Sequence, residues 1–277
     1  MHHDQGQKLS ARTHQVSIPD KHFSDYVLQD LIADSSYDLM AQYPSIAEVI
    51  DSLQLITPRP DEVLIIGING PTCAGKTTFT EALVRWLVTR NIPVTQLGFD
   101  WFLYDRPIRN QLVQDISLGA KTIAQVTQTA WDVQRYGNLL RTLKTIKRGD
   151  MDGVIQLTGL YDRALGTQTA DVAFTIPFGG YVVVEGVAIL DTTNADLIDS
   201  HIRLDVDDDE ILIKRAIARE GVKPPGKRLS EEYLRHRFEV MDLHHMRYLR
   251  KLSYAHNQHV VDVSNFSNIK VFSRTHA

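Results

Sequence analysis

Apolar residues recur at helical spacing at Phe23, Val27 and Leu31, with Leu28 and Ile32 beside them and Leu39 and Met40 following. Pro44-Ser45 then opens a second helical stretch through Ile46, Val49, Ile50 and Leu53. Residues 1–21 ahead of both are polar and aperiodic, as in a tail without fixed structure. Thr57-Pro58-Arg59-Pro60 breaks the helical pattern, so residues 1–60 read as a polar tail with a helical appendage and residues 61–277 as the main domain. Beyond this break the pattern changes. Val63-Leu64-Ile65-Ile66-Gly67-Ile68 is an uninterrupted apolar run, the mark of a strand buried on both faces. Phe79, Leu83 and Leu87 predict a helix to about Arg90, and residues 93–99 predict a second strand that ends at Asp100. Residues 105–130 are polar and weakly patterned, suiting an insertion on the ligand side, and helical spacing resumes over 133–147. Gly180 to Val184 reads as a strand that delivers Glu185 at its end, and Ile202 to Val206 as another. A helix follows with Asp208, Asp209 and Glu210 in its first turn, and Val260 to Val263 reads as the last strand. This alternation predicts an α/β three-layer fold, a parallel central sheet with helices on both faces, whose ligands gather at the carboxyl ends of the strands.

The first strand and first helix of the main domain are joined by Gly70-Pro71-Thr72-Cys73-Ala74-Gly75-Lys76-Thr77, which fits G-x-x-x-x-G-K-S/T. Two glycines let the backbone turn tightly and bring successive N–H groups to phosphate oxygens at the positive end of the helix. Lys76 adds a point charge for the outer phosphates, and the Thr77 hydroxyl is suited to ligate Mg²⁺. Gly70, Thr72, Cys73, Ala74, Gly75, Lys76, Thr77 and Thr78 are therefore the expected triphosphate site of a P-loop NTPase fold, with ATP and Mg²⁺ as the expected cofactors. Cys73 is the chain's one cysteine. Loop amides and Lys76 are placed to lower its pKa, but that position needs no thiol chemistry, and packing is its preferred role.

A formal charge of -4 gives no electrostatic reason to expect nucleic acid, and no apolar run reaches the length of a membrane span. A single cysteine rules out disulfides within the chain, and the N-terminus has no apolar signal core, so the expected location is cytoplasmic.

A triphosphate site needs a carboxylate for its metal. Glu185 is the candidate, because its strand can lie beside the strand that feeds the loop. Asp100, at another strand end, is the candidate base for an acceptor hydroxyl, since phosphoryl transfer to an alcohol needs a carboxylate beside it. Arg215 and Arg219 lie one turn apart in the helix after Val206, and Lys223, Lys227 and Arg228 follow around Pro224-Pro225-Gly226. Such a segment can close over the triphosphate as a lid, bringing cations to the developing charge and excluding water. Tyr161 offers ring stacking and a hydrogen bond to a sugar or base. Asp132 reads as an acceptor-pocket residue or a helix N-cap, and Trp131 as a core residue.

In order, the phosphate loop, Asp100-Trp101-Phe102, Lys147-Arg148-Gly149, Tyr161-Asp162, Val183-Val184-Glu185-Gly186 and the basic lid resemble the uridine kinase and phosphoribulokinase group of P-loop small-molecule kinases. The resemblance covers about residues 62–265. It implies that Asp100 activates the acceptor, that Glu185 lies in the magnesium sphere, and that Lys76, Arg215, Arg219 and Arg228 act on the phosphates. Phe102, Tyr104, Asp132 and Tyr161 complete the implied acceptor pocket beside Asp100. Three features differ from the uridine kinase pattern: Trp101 follows the aspartate, the lid reads Pro225-Gly226-Lys227-Arg228, and Tyr161-Asp162-Arg163-Ala164 has no histidine nearby. The expected activity is transfer of the γ-phosphoryl group of ATP to a hydroxyl of a small molecule, a nucleoside first. Pantothenate, glycerate and sugar phosphates are alternative acceptors, and a P-loop ATPase or nucleotide switch is the alternative class. N-K-x-D and L-S-G-G-Q elements are both missing from the sequence. The expected partner is a small-molecule acceptor, with neither nucleic acid nor membrane, and the N-terminal helices are candidates for homo-oligomer contacts.

Overall fold

The computed structural model describes residues 44–150, 153–189, 194–223, 226, 228–251, 258–265 and 268–273. The expected polar tail and the first helix of the appendage lie outside the described residues. The second helix, α1 (Pro44–Ser52), is present. Its Ile46, Val49 and Ile50, with Leu53 just beyond, are buried against Leu83 and Leu87. Each such side chain contributes about 1.5–3 kcal/mol by leaving water, so this helix shares the core of the main domain.

The chain continues through β1 (Val63–Asn69), α2 (Lys76–Thr89) and β2 (Val94–Gly98), then a 3₁₀ turn, Phe99–Phe102. Next come α3 (Arg106–Ser117), α4 (Ile123–Ala130) and α5 (Val133–Thr145). A hairpin of β3 (Val154–Asp162) and β4 (Thr167–Thr175) leads to β5 (Gly180–Gly186) and β6 (Ser200–Asp205). The last described elements are α6 (Asp209–Gly221), α7 (Glu231–Arg237), a π turn (Phe238–Asp242), α8 (Leu243–Lys251), β7 (Gln258–Asp262) and β8 (Lys270–Ser273). No helix among the described residues is long and apolar enough to cross a membrane.

The central sheet has the order β2-β5-β1-β6-β7-β8, parallel except for the β7–β8 pair. Alternate residues of its middle strands supply two cores. Leu64, Ile66, Tyr181 and Val183 face α1, α2 and α6, whereas Val63, Ile65, Val182 and Val184 face α5, the 3₁₀ turn and the hairpin. Burial on both faces explains why these strands read as continuous apolar runs.

Three elements differ from the sequence-based expectation. Residues 105–130 are largely helical: Thr122 and Gln125 form a capping box for α4, and Leu112, Val126 and Ala130 make a small cluster of their own. The β3–β4 hairpin was not expected, because its apolar alternation is interrupted by a register shift between Leu157 and Leu160. Finally, β8 follows β7 as an antiparallel edge strand.

Candidate active site

The segment from Gly70 to Gly75 leaves the carboxyl end of β1 in the middle of the sheet. Gly70 is tight against β6: a Cβ there would come within 2.8 Å of the Leu204 carbonyl oxygen. Cys73 (φ 65°) and Gly75 (φ 86°) are left-handed on either side of Ala74, an alternation that turns successive N–H groups to one side. Gly75 occupies the N-cap position of α2, so the positive end of that helix faces the same concavity. The Lys76 ammonium donates to the carbonyls of Gly70 (3.1 Å) and Pro71 (2.9 Å). Burial lowers its pKa, while the negative charges of Glu185 and Asp100 work in the opposite direction. A partly desolvated ammonium held at a nest of N–H groups favours an anion.

The two candidate carboxylates lie on adjacent strand ends. β5 pairs with both β1 and β2, and Glu185 stands opposite Ile68 on one side and Gly98 on the other. Thr77 Oγ1 donates to Glu185 Oε1 at 3.1 Å. Burial raises the Glu185 pKa, Lys76 pulls it down, and Asp100 pushes it up again. Asp100 sits in the 3₁₀ turn, and its Oδ2 accepts from Arg163 Nη2 at 2.5 Å. Lys76, Asp100 and Glu185 thus form one electrostatic group.

The cations expected in a lid separate. Arg219 lies close enough to Lys76 and Cys73 to act on the charge of both. Arg215 Nη2 instead donates to the carbonyls of Val263 (2.6 Å) and Ser264 (3.2 Å) at the end of β7. One helical turn is a rise of about 5.4 Å, enough for two arginines on one face to meet different targets. Arg228 Nε donates to the Lys223 carbonyl (2.6 Å), while Pro224, Pro225 and Lys227 lie outside the described residues.

The acceptor-side residues also divide. Phe102 and Tyr161 are 1% and 4% exposed, the first packed on Tyr136 with ring centroids 5.4 Å apart. The Tyr161 hydroxyl accepts from Arg109 Nη2. Tyr104 is partly exposed, with its backbone N–H bonded to the Ala130 carbonyl (3.0 Å). Asp132 Oδ1 accepts from Arg135 N at 2.9 Å and caps α5, the N-cap alternative of its two readings. Trp131 stacks on Phe99 at 5.4 Å.

One pairing beside the loop escaped sequence reasoning. Thr72 Oγ1 donates to the buried Asp242 (3.1 Å), whose other oxygen pairs with Arg237 Nε (3.1 Å). The π turn that ends at Asp242 brings this carboxylate under the loop, and π turns recur at functional sites. No local motif announces it. At Cys73 only the direction of the pKa differs from expectation: burial raises the thiol pKa, and this outweighs the lowering by Arg219, Lys76 and Arg237. The thiol is a packing group, partly buried against the core.

Glu81 lies one turn beyond Thr77 on α2. Burial and then the charge of Glu185 push its carboxyl up to about 7, with Arg85 opposing. The native state therefore holds this proton more tightly than the unfolded chain, and the associated stability is lost as pH rises from the usual glutamate range through about 7. Glu81→Gln should remove that loss. Denaturant unfolding without nucleotide or metal should show the variant gaining on the order of 1–3 kcal/mol over wild type between pH 4 and pH 8. An equal difference at both pH values would refute the assignment.

No protein-family model matches the chain. Inorganic pyrophosphatase TTM2 of Arabidopsis thaliana is 25% identical over 179 residues, 64% of this chain, and the match spans 23% of that relative's length. Among solved structures, D-glycerate 3-kinase from Cryptococcus neoformans var. grubii superposes with a TM-score of 0.55 at 15% identity, over 88% of this chain and 99% of that one. A candidate fructose transport system kinase from Silicibacter sp. TM1040 gives 0.54 at 19% identity, over 77% and 97% of the two chains. A possible uridine kinase from Bacillus stearothermophilus gives 0.50 at 19% identity, over 79% and 99%. At these identities the likeness is one of fold.

Proposed function

From the P-loop kinase fold shared with these structures, we propose that the chain is an ATP-dependent phosphotransferase that moves the γ-phosphoryl group to a hydroxyl of a small molecule. The observation that carries this reading is the convergence of Lys76, Glu185 and Asp100 on the ends of three neighbouring strands. A nucleotide switch needs the first two; a carboxylate in the position of Asp100 suits an acceptor hydroxyl. The loop N–H groups and Lys76 would hold the β- and γ-phosphates, and Asp100 would accept the hydroxyl proton as the acceptor oxygen bonds to the γ-phosphorus and the bond to the β-phosphate oxygen breaks, with ADP leaving. Arg219 is the lid cation best suited to the charge that develops.

Magnesium fits the donor set. Thr77 and Glu185 offer one hydroxyl and one carboxylate, and no group of three or more His, Cys, Asp or Glu among the described residues could hold a metal. Mg²⁺ is typically held by one or two carboxylates with phosphates and waters completing its shell, and when bound it would neutralise charge on the phosphates. The burial that raises the Glu185 pKa makes a cation partner favourable there. The same reading takes residues 61–277 as the kinase domain, with residues 1–60 as an N-terminal extension whose α1 packs into that domain's core, in the cytoplasm.

The test is an acceptor panel. Purified protein with Mg-ATP should phosphorylate at least one alcohol among nucleosides, glycerate, pantothenate and sugar phosphates, at a rate well above its ATP hydrolysis. Brisk hydrolysis with transfer to none would favour an ATPase instead.

A further inference from the structure

We infer that the acceptor is an anionic alcohol, a small hydroxyl compound bearing a carboxylate or phosphate, and that Arg163 binds its oxyanion beside Asp100. The inference rests on the kinase reading and narrows its acceptor.

The first observation is how Arg163 is held. It opens the turn between β3 and β4, where Asp162 Oδ1 accepts from the N–H groups of Ala164 (2.7 Å) and Leu165 (3.1 Å). Gly166, left-handed at φ 79°, donates to the Asp162 carbonyl (2.7 Å) and closes the turn. This turn is tied to the chain just after Asp100: Arg106 N donates to the Gly166 carbonyl (2.9 Å), and Gln168 N to Asp105 Oδ1 (2.7 Å). The hairpin therefore fixes Arg163 against the segment that carries Asp100.

The second is what Arg163 has left to offer. A guanidinium has five N–H donors and no acceptor. Nη2 reaches Asp100, and the side chain is 71% exposed, so most of the guanidinium is open to solvent beside that carboxylate. Such a fork matches a carboxylate or phosphate in geometry and in charge. Arg106 lies alongside, its Nη2 3.4 Å from the Arg163 carbonyl, and Arg109 braces Tyr161 from the same helix. Arg163 also acts on Glu185, lowering its pKa, and so offsets part of the negative charge that would otherwise repel an anionic acceptor.

The third concerns the rings. A neutral nucleoside is usually gripped through the faces of its base, yet Trp101, Phe102 and Tyr161 near Asp100 are 7%, 1% and 4% exposed. None of the three offers a free face for stacking, and of the rings expected in the pocket only Tyr104 is partly exposed.

The experiment compares matched pairs: glycerate against glycerol, and ribulose 5-phosphate against ribulose, with uridine as a neutral nucleoside. Anionic members should be favoured by about 100-fold or more in kcat/KM. Arg163→Gln should raise KM for the preferred anionic acceptor about 10- to 100-fold, with little change in KM for its neutral partner, and Arg163→Lys should recover part of the loss. The carboxylate and phosphate arms distinguish the two oxyanions. Equal or better use of neutral acceptors, or an equal rise in KM with Arg163→Gln for both members of a pair, would overturn the inference and leave the kinase reading intact. Transfer to no member, with ATP still hydrolysed, would remove both.

Discussion

Lys76→Ala should lower kcat/KM for phosphoryl transfer by about 10²- to 10³-fold, the cost of losing one preorganised charge at a developing oxyanion. Its effect on folding should be small or even favourable. The ammonium is held against two loop carbonyls, and burial lowers its pKa, so the site bears a desolvation cost that alanine does not. The combination is diagnostic: activity collapses while the thermal midpoint is kept. Single-turnover transfer and a fluorescent nucleotide titration on one preparation would check it. Near wild-type transfer would remove the loop from the reaction, whatever the loop binds.

Asp100→Asn should cost about 10²- to 10⁴-fold in kcat, because an amide has no basic site for the hydroxyl proton. Nucleotide affinity should change little, since the loop, Lys76 and the Thr77–Glu185 pair are intact. The Arg163 contact would weaken, and KM for the acceptor should therefore rise as well. Measuring kcat and KM separately with the best acceptor distinguishes the two effects. An Asn variant that turns over at a near-normal rate would assign the proton transfer elsewhere.

How legible these features were in the sequence depended on distance along the chain. β1 and β5 were readable because both faces are buried, and the loop because its glycines, lysine and threonine lie within eight consecutive residues. The pairing of Thr77 with Glu185 could be anticipated once neighbouring strands were assumed. Arg163 with Asp100 and Thr72 with Asp242 could not, for they join residues 63 and 170 positions apart through elements that the hydrophobic pattern hid. In β3 the register shift breaks the alternation that would have revealed the strand. Residues 105–130 form helices that bury few apolar residues, so their caps carried more information than their periodicity. Phe102 and Tyr161, expected in a pocket and found buried, illustrate the converse: an aromatic ring near a candidate carboxylate looks the same in sequence whether it faces a ligand or the core.

β3 and β4 pair with each other in a two-stranded sheet of their own, outside the hydrogen-bonded register of the central sheet. The arm that presents Arg163 packs Ile155, Leu160, Val172 and Phe174 into the core, while its tip lies outside the rungs between β1, β2, β5 and β6. On the proposed reading, changes at this tip would alter the choice of acceptor and leave the phosphate loop in place. This placement also marks residues 163–166 as the place to begin when redirecting the protein to a new compound.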